Sequence, residues 1–165
     1  PGTLRPRMQV SSRHHLRSDA IDDLTASLAD ALGVDIEGDT FELVELDNTA
    51  FDIVLVEAEL VASVDDEPFL TVEGANEYPP QRGLVTVDAG AIEFVSNGAD
   101  VMRPWIVEVD DGITAGDLVA IAEETHGKTL AVGRAQTDSD DMLGDAGKVV
   151  DSIHHVGDEL YEFSV

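Results

Sequence analysis

This chain has 35 acidic residues and only nine basic ones, so its cations are the groups to follow. Arg103 stands in Val101-Met102-Arg103-Pro104-Trp105, just after Asn97-Gly98-Ala99-Asp100. Its guanidinium is a planar fork suited to a phosphate or a guanine edge. Gly98 would let backbone amides approach a sugar-phosphate chain closely, where a side chain would block them. Trp105 is the sole tryptophan and offers a platform for an unpaired base. Lys128 and Arg134 would add charge from an adjacent hairpin. Each residue also has a plainer use: Gly98 as a turn glycine, Arg103 in an ion pair with a nearby carboxylate, Trp105 in the core, Lys128 simply solvated.

Catalytic signatures fail on inspection. Gly127-Lys128-Thr129 ends like a phosphate-binding loop, but Ala122 replaces the required first glycine. Asp138-Ser139-Asp140-Asp141 begins like a calcium loop, and Met142 and Leu143 then occupy the fifth and sixth positions. There is no Gly-x-Ser-x-Gly elbow and no His-Glu-x-x-His helix. His14-His15 and His154-His155 are adjacent pairs, which on a strand point to opposite faces, so ordinary structural or surface roles are expected. Cysteine is absent, which excludes disulfides and thiolate metal sites. The expectation is a protein with no catalytic site, no metal and no cofactor.

The net charge of −26 disfavours long-range attraction to polyanions. Yet 43% hydrophobic content and periodic segments mark a folded chain. Only two lysines occur, Lys128 and Lys148. An acidic, lysine-poor, foldable chain fits a cytoplasm of molar salt, as in halophilic archaea; at about 1 M the Debye length is roughly 3 Å. Four of the nine cations, Arg5, Arg7, Arg13 and Arg17, lie in the first 17 residues with His14 and His15 and no acid. This segment reads either as a solvated terminus or as a basic arm for RNA or an acidic partner. No apolar run approaches the ~18 residues of a membrane span, and the start lacks a secretory core. A cytoplasmic protein without membrane contact is expected.

These residues must be positioned by regular elements. Ile21, Leu24, Leu28 and Leu32 predict a helix over 19–32, with Ser18 as N-cap and Gly33 as stop. Phe41 and Leu43, then 51–56, 60–62 and 69–72, read as strands, with Asp65-Asp66-Glu67 a turn between two of them. Tyr78-Pro79-Pro80 breaks the pattern and places a stiff boundary within 77–83. Beyond it, Val85–Val87 is a strand, Asp88 caps a short helix with Ala91, Ile92, Phe94 and Val95 on its apolar face, and Gly98 reverses the chain. Residues 106–109, 117–123, 129–135, 149–153 and 160–163 read as strands and 139–143 as a short helix. Many short strands with glycine turns indicate a small barrel-like β domain. The class is α+β, with domains at 1–80 and 84–163.

Residues 84–163 resemble a PUA domain, the RNA-binding module named after pseudouridine synthases and archaeosine transglycosylases. The likeness rests on Val87-Asp88, Gly90-Ala91-Ile92, Phe94-Val95, Gly98-Ala99-Asp100-Val101-Met102-Arg103-Pro104, Gly116-Asp117, His126-Gly127-Lys128, Ala131-Val132-Gly133-Arg134-Ala135 and Ile153-His154. Glu67-Pro68-Phe69, Glu77-Tyr78-Pro79 and Ser12-Arg13-His14-His15-Leu16-Arg17 extend it toward the start. The whole chain is similar to archaeal relatives of the malignant-T-cell-amplified-sequence family, linked to ligatin-type translation factors and the small ribosomal subunit. Those proteins join an α+β pre-PUA domain to a PUA pseudo-barrel. One departure is Trp105, where the family usually carries glycine.

The resemblance implies an RNA surface on the first PUA helix, the following loop and neighbouring strands. That makes Asn97, Gly98, Ala99, Asp100, Met102, Arg103, Trp105, Lys128 and Arg134 candidate RNA contacts, with Arg13 and Arg17 from the basic arm. It implies rRNA or tRNA as partner rather than DNA, and a non-catalytic role in translation beside the small subunit or a translation factor. The alternative is an accessory RNA-binding subunit for a tRNA or rRNA modification enzyme. The chain has no room for a catalytic domain of its own.

Overall fold

The computed structural model describes residues 8–164, so Arg5 and Arg7 lie outside the described residues. The first half is an antiparallel meander of five strands in spatial order β1 (Gln9–His15), β2 (Glu42–Asp47), β3 (Phe51–Leu55), β4 (Val61–Val64) and β5 (Glu67–Leu70). Helix α1 (Ser18–Leu32) connects the first two. It starts one residue earlier than its periodicity predicts: Arg17 holds the extended N-cap position, and Ser18 is the first helical residue rather than the cap. Gly33, in the left-handed region at φ 67°, donates its N–H to Ala29 and ends the helix as expected.

Both faces of this sheet are covered. Leu43, Val54, Val61 and Leu70 pack with Leu28 and Leu32 of α1. Their strand neighbours Val44, Ile53, Ala62 and Phe69 face the opposite way, because side chains alternate along a strand. That second face meets Leu118, Val132 and Leu160 from the other half of the chain. Each such aliphatic side chain contributes about 1.5–3 kcal/mol when fully buried.

The second half is a nearly closed six-stranded sheet. Its order is β7 (Val101–Met102), β11 (Lys148–His155), β10 (Thr129–Ala135), β9 (Leu118–Glu123), β6 (Leu84–Val87) and β8 (Ile106–Val109). Only the β6–β9 pairing is parallel; the other pairings are antiparallel. Val85, Val87, Val119, Ile121, Ala131, Val149 and Val150 fill its interior. Helix α3 (Ile92–Ser96) closes one side through Val95, preceded by a 3-10 turn that Asp88 caps by accepting from Ala91 N–H at 3.0 Å.

Three expectations are corrected. The strand predicted for 69–72 is β5 followed by helix α2 (Val72–Glu77). Thr71 caps α2 by accepting from Gly74 N–H at 3.0 Å, and Gly74 itself is required, since a Cβ there would sit 1.9 Å from Leu60 O. The strand predicted for 160–163 is instead helix α4 (Glu159–Glu162), capped by Asp158, which inserts Leu160 between the two sheets. The short helix at 139–143 is a 3-10 turn at Ser139–Asp141.

The two halves are joined by satisfied polar groups as well as apolar ones. Asn76 on α2 exchanges two hydrogen bonds with the backbone of Thr129, at 2.8 and 3.1 Å, imitating a strand partner. His154 is fully buried; its Nε2 accepts from Val72 N–H at 3.0 Å and its Nδ1–H donates to Asp158 at 2.9 Å. An Nε2 that accepts carries no proton, so the joint fixes the tautomer. Burial works to raise the Asp158 carboxyl, but donors from the His154 ring, Tyr161 N–H and His155 N–H outweigh it and hold the group below its usual value.

Candidate nucleic-acid interface

Helix α3 ends at Asn97, whose side chain donates to Glu93 O at 2.8 Å. Gly98 follows at φ 93°, its N–H donating to Val95 O, and Ala99 N–H reaches Phe94 O. This conformation suits glycine, and so do the surroundings: a Cβ on Gly98 would lie 2.8 Å from His155 Nε2. The glycine thus seats an imidazole against the loop. His155 Nδ1 faces the carbonyls of Ser96 and Val156 at 3.0 and 2.8 Å, so it carries the proton and leaves Nε2 as an acceptor beside Gly98.

Asp100 anchors the far end of the loop. It accepts from Ser152 N–H at 2.9 Å and pairs with Lys148 at 3.7 Å. Lys148 lies closer to Asp151, at 2.7 Å, and that hydrogen bond is the main reason its ammonium holds its proton above the usual lysine value. Met102 pairs with Lys148 across the β7–β11 ladder. The chain then turns through Arg103–Trp105 in a 3-10 turn with Pro104.

Arg103 is a clamp in this structure. Its Nε–H donates to Asp141 O at 2.8 Å and an Nη1–H to Ala146 O at 3.0 Å, drawing the 138–147 loop around the guanidinium. Its backbone N–H also reaches Gly147 O. A guanidinium has five N–H groups, and these contacts take two of them, one at Nε and one at Nη1.

Trp105 stacks on Phe94 with centroids 5.5 Å apart and planes 13° from parallel. Trp105 is half-buried against the barrel core, whereas Phe94 is 54% exposed. Val107, 47% exposed, stands two residues further along β8, the edge strand. Sequence reasoning assigned Phe94 to an apolar helix face and did not place it in the site. The periodicity of α3 concealed a ring that leaves the core once Trp105 covers it. His155 was likewise passed over, because an adjacent histidine pair carries no signal for which member is buried.

Asn97, Gly98, Ala99, Asp100, Met102, Arg103 and Trp105 follow one another from the end of α3 along β11, with Gly98 against His155 at the end of that strand and Met102 opposite Lys148 at its start. Lys128 lies toward the Gly98 end: it precedes β10 by one residue, and Ala131 on that strand pairs with His155. Its side chain is exposed, while its backbone N–H joins that of His126 on the buried carboxylate of Glu123. Burial works to raise Glu123, and the backbone donors prevail and lower it.

Arg134 is placed elsewhere. Its guanidinium bridges the two halves, 3.0 Å from Glu67 and 2.7 Å from Gly116 O. Arg13 and Arg17 belong to the other sheet's edge, Arg13 on β1 paired with Glu42 and Arg17 at the start of α1. Among the described residues, no group of three or more His, Asp or Glu side chains is arranged to hold a metal.

Residues 83–157 match the family model of the PUA domain. The uncharacterized protein MJ1432 of Methanocaldococcus jannaschii is 40% identical over 115 residues, covering 68% of this chain and 71% of that protein. Translation machinery-associated protein 20 of Saccharomyces cerevisiae is 31% identical over 107 residues, which span 61% of this chain and 59% of the yeast protein. The crystal structure of the hypothetical protein PH0734.1 from Pyrococcus horikoshii OT3 superimposes with a TM-score of 0.81 at 30% identity, covering 92% of this chain and 98% of that one. This chain belongs to the PUA-domain proteins, with translation machinery-associated protein 20 and malignant T-cell-amplified sequence 1 homologues among its relatives.

Proposed function

We propose that this chain is a non-catalytic RNA-binding protein of translation, acting in the cytoplasm. It meets ribosomal or transfer RNA on the face built from α3, the Asn97–Asp100 loop and the Arg103–Trp105 turn. The observation that carries this reading is the exposed ring of Phe94, stacked on Trp105, on the helix that runs into the Gly98 loop of a PUA barrel. The translation-associated relatives supply the setting. The first half of the chain would then dock the small ribosomal subunit or a translation factor.

The charge pattern fits recognition by contact. With a net charge of −26, distant phosphates are repelled at low salt, and in the molar salt of a halophilic cytoplasm the repulsion is screened within about 3 Å. Phosphate pairing weakens steeply with ionic strength, so stacking and shape must carry more of the affinity. Among the described residues, Lys128, Arg17 and Arg82 are exposed and outside the ion pairs, which makes them the cations most available to phosphate. Arg13 and Arg134 would first have to leave Glu42 and Glu67.

Crosslinking in potassium chloride of about 1 M, followed by sequencing of the bound RNA, tests the reading. Enrichment of small-subunit rRNA or tRNA together with co-sedimentation on the small subunit is the expected result. Recovery with an RNA-modification enzyme would replace it with the accessory-subunit role. Absence of any crosslink would leave the barrel as a surface for protein contacts.

A further inference from the structure

The half-buried ring of Trp105 meets the core on one side and Phe94 on the other, so the pair reaches solvent through Phe94. We infer that the outer face of Phe94 is the seat of one unpaired nucleobase, forming a three-layer stack of base, Phe94 and Trp105. This rests on the RNA-binding reading above and names its central contact.

Two observations favour a base. The Phe94 ring is more than half exposed, yet its plane is already set by Trp105, so a stacking partner loses little freedom in ordering it. The exposed carboxylate of Glu93, the residue before Phe94, disfavours a phosphate but not a neutral heterocycle. A stable protein interface requires about 800 Å² per partner, whereas one base covers an aromatic ring completely. Stacking depends on contact rather than on net charge and survives the salt that weakens phosphate pairing.

Because Trp105 is the only tryptophan, its fluorescence reports on the stack directly. The full chain is titrated with a short single-stranded oligoadenylate and with the matching abasic ribose-phosphate oligomer, in potassium chloride of about 2 M. Oligoadenylate is expected to change Trp105 emission, and Phe94→Leu to weaken binding by about fivefold to a hundredfold. Phe94→Tyr is expected to retain binding, and the abasic oligomer to abolish the difference between wild type and Phe94→Leu. Unchanged melting of Phe94→Leu separates this from a folding defect; if that variant is unstable, wild-type Trp105 emission, changed by oligoadenylate and unchanged by the abasic oligomer, carries the test. If Phe94→Leu binds oligoadenylate as wild type does while Arg103→Ala weakens it, the base seat is overturned and the RNA reading stands. If crosslinked cellular RNA and oligoadenylate both fail to bind, the RNA reading falls and the base seat with it.

Discussion

The joint between the two sheets and the face around Gly98 use similar residues to opposite ends. Each has a histidine from the end of β11 and an arginine. At the joint, both functional nitrogens of His154 are engaged and Arg134 is committed to Glu67 and Gly116 O. On the Gly98 face, one ring nitrogen of His155 rests against the glycine, a loop takes up two of the five N–H groups of Arg103, and Phe94 stands more than half in solvent. The joint consumes its polar capacity because it is buried, where an unpaired donor or acceptor costs about 1–3 kcal/mol. The face can retain capacity because it lies at the surface, where water can satisfy a polar group. The same pair of residue types thus serves stability at the joint and, in the function proposed above, recognition at the face, and partner satisfaction separates them.

The largest expected effect probes the joint. His154→Ala strands Val72 N–H and opens a cavity beside Phe69, so urea unfolding should show a loss of about 3–5 kcal/mol. An unchanged midpoint would break the contrast drawn here. Gly98→Val is expected to reduce stability by about 1–3 kcal/mol, through its φ of 93° and its collision with His155, and to reduce RNA affinity as well. Thermal melting and RNA titration on one preparation test both.

A pH effect comes next. The folded Asp158 carboxyl lies below its ordinary value of 3.8, so its contribution is complete above that value and is lost as pH falls through the folded value. Wild type should therefore lose about 1–2 kcal/mol relative to Asp158→Asn as pH drops below about 4, in urea titrations at stepped pH. A gap between the two proteins that stays constant across that range would remove the charge-assisted contact from the joint. The smallest effect is expected for Arg134→Met. Its ion pair is partly exposed, so stability should fall by less than about 1 kcal/mol, and RNA affinity should hold if Arg134 is a strut. A clear loss of RNA affinity at unchanged melting temperature would move Arg134 into the RNA face.

What could be read from residue order was local in origin. Helix α1 follows from the three- and four-residue spacing of Ile21, Leu24, Leu28 and Leu32 together with Gly33. The hairpin between β4 and β5 turns on Asp65 and Asp66, both at positive φ, where aspartate is tolerated. The loop of Asn97 and Gly98 was visible as a helix stop, and the family motif located the remaining loop residues beside it. Helices α2 and α4 were not visible. They are short, and their stability comes from Val72 on His154, Asn76 on Thr129 and Leu160 between the sheets, contacts that cross the chain.

Sequence by itself determined the α+β class, the barrel and the Gly98 turn, because periodicity, caps and turn residues act over a few neighbours. Tertiary structure alone decided which cations are spent and which rings are open. Arg134 meets Glu67 across 67 positions, Arg103 is wrapped by a loop 38 to 43 positions away, and Phe94 surfaces because Trp105 occupies its inner face. Availability to a ligand is what remains after every internal partner is counted, and those partners are set by the packing of distant segments.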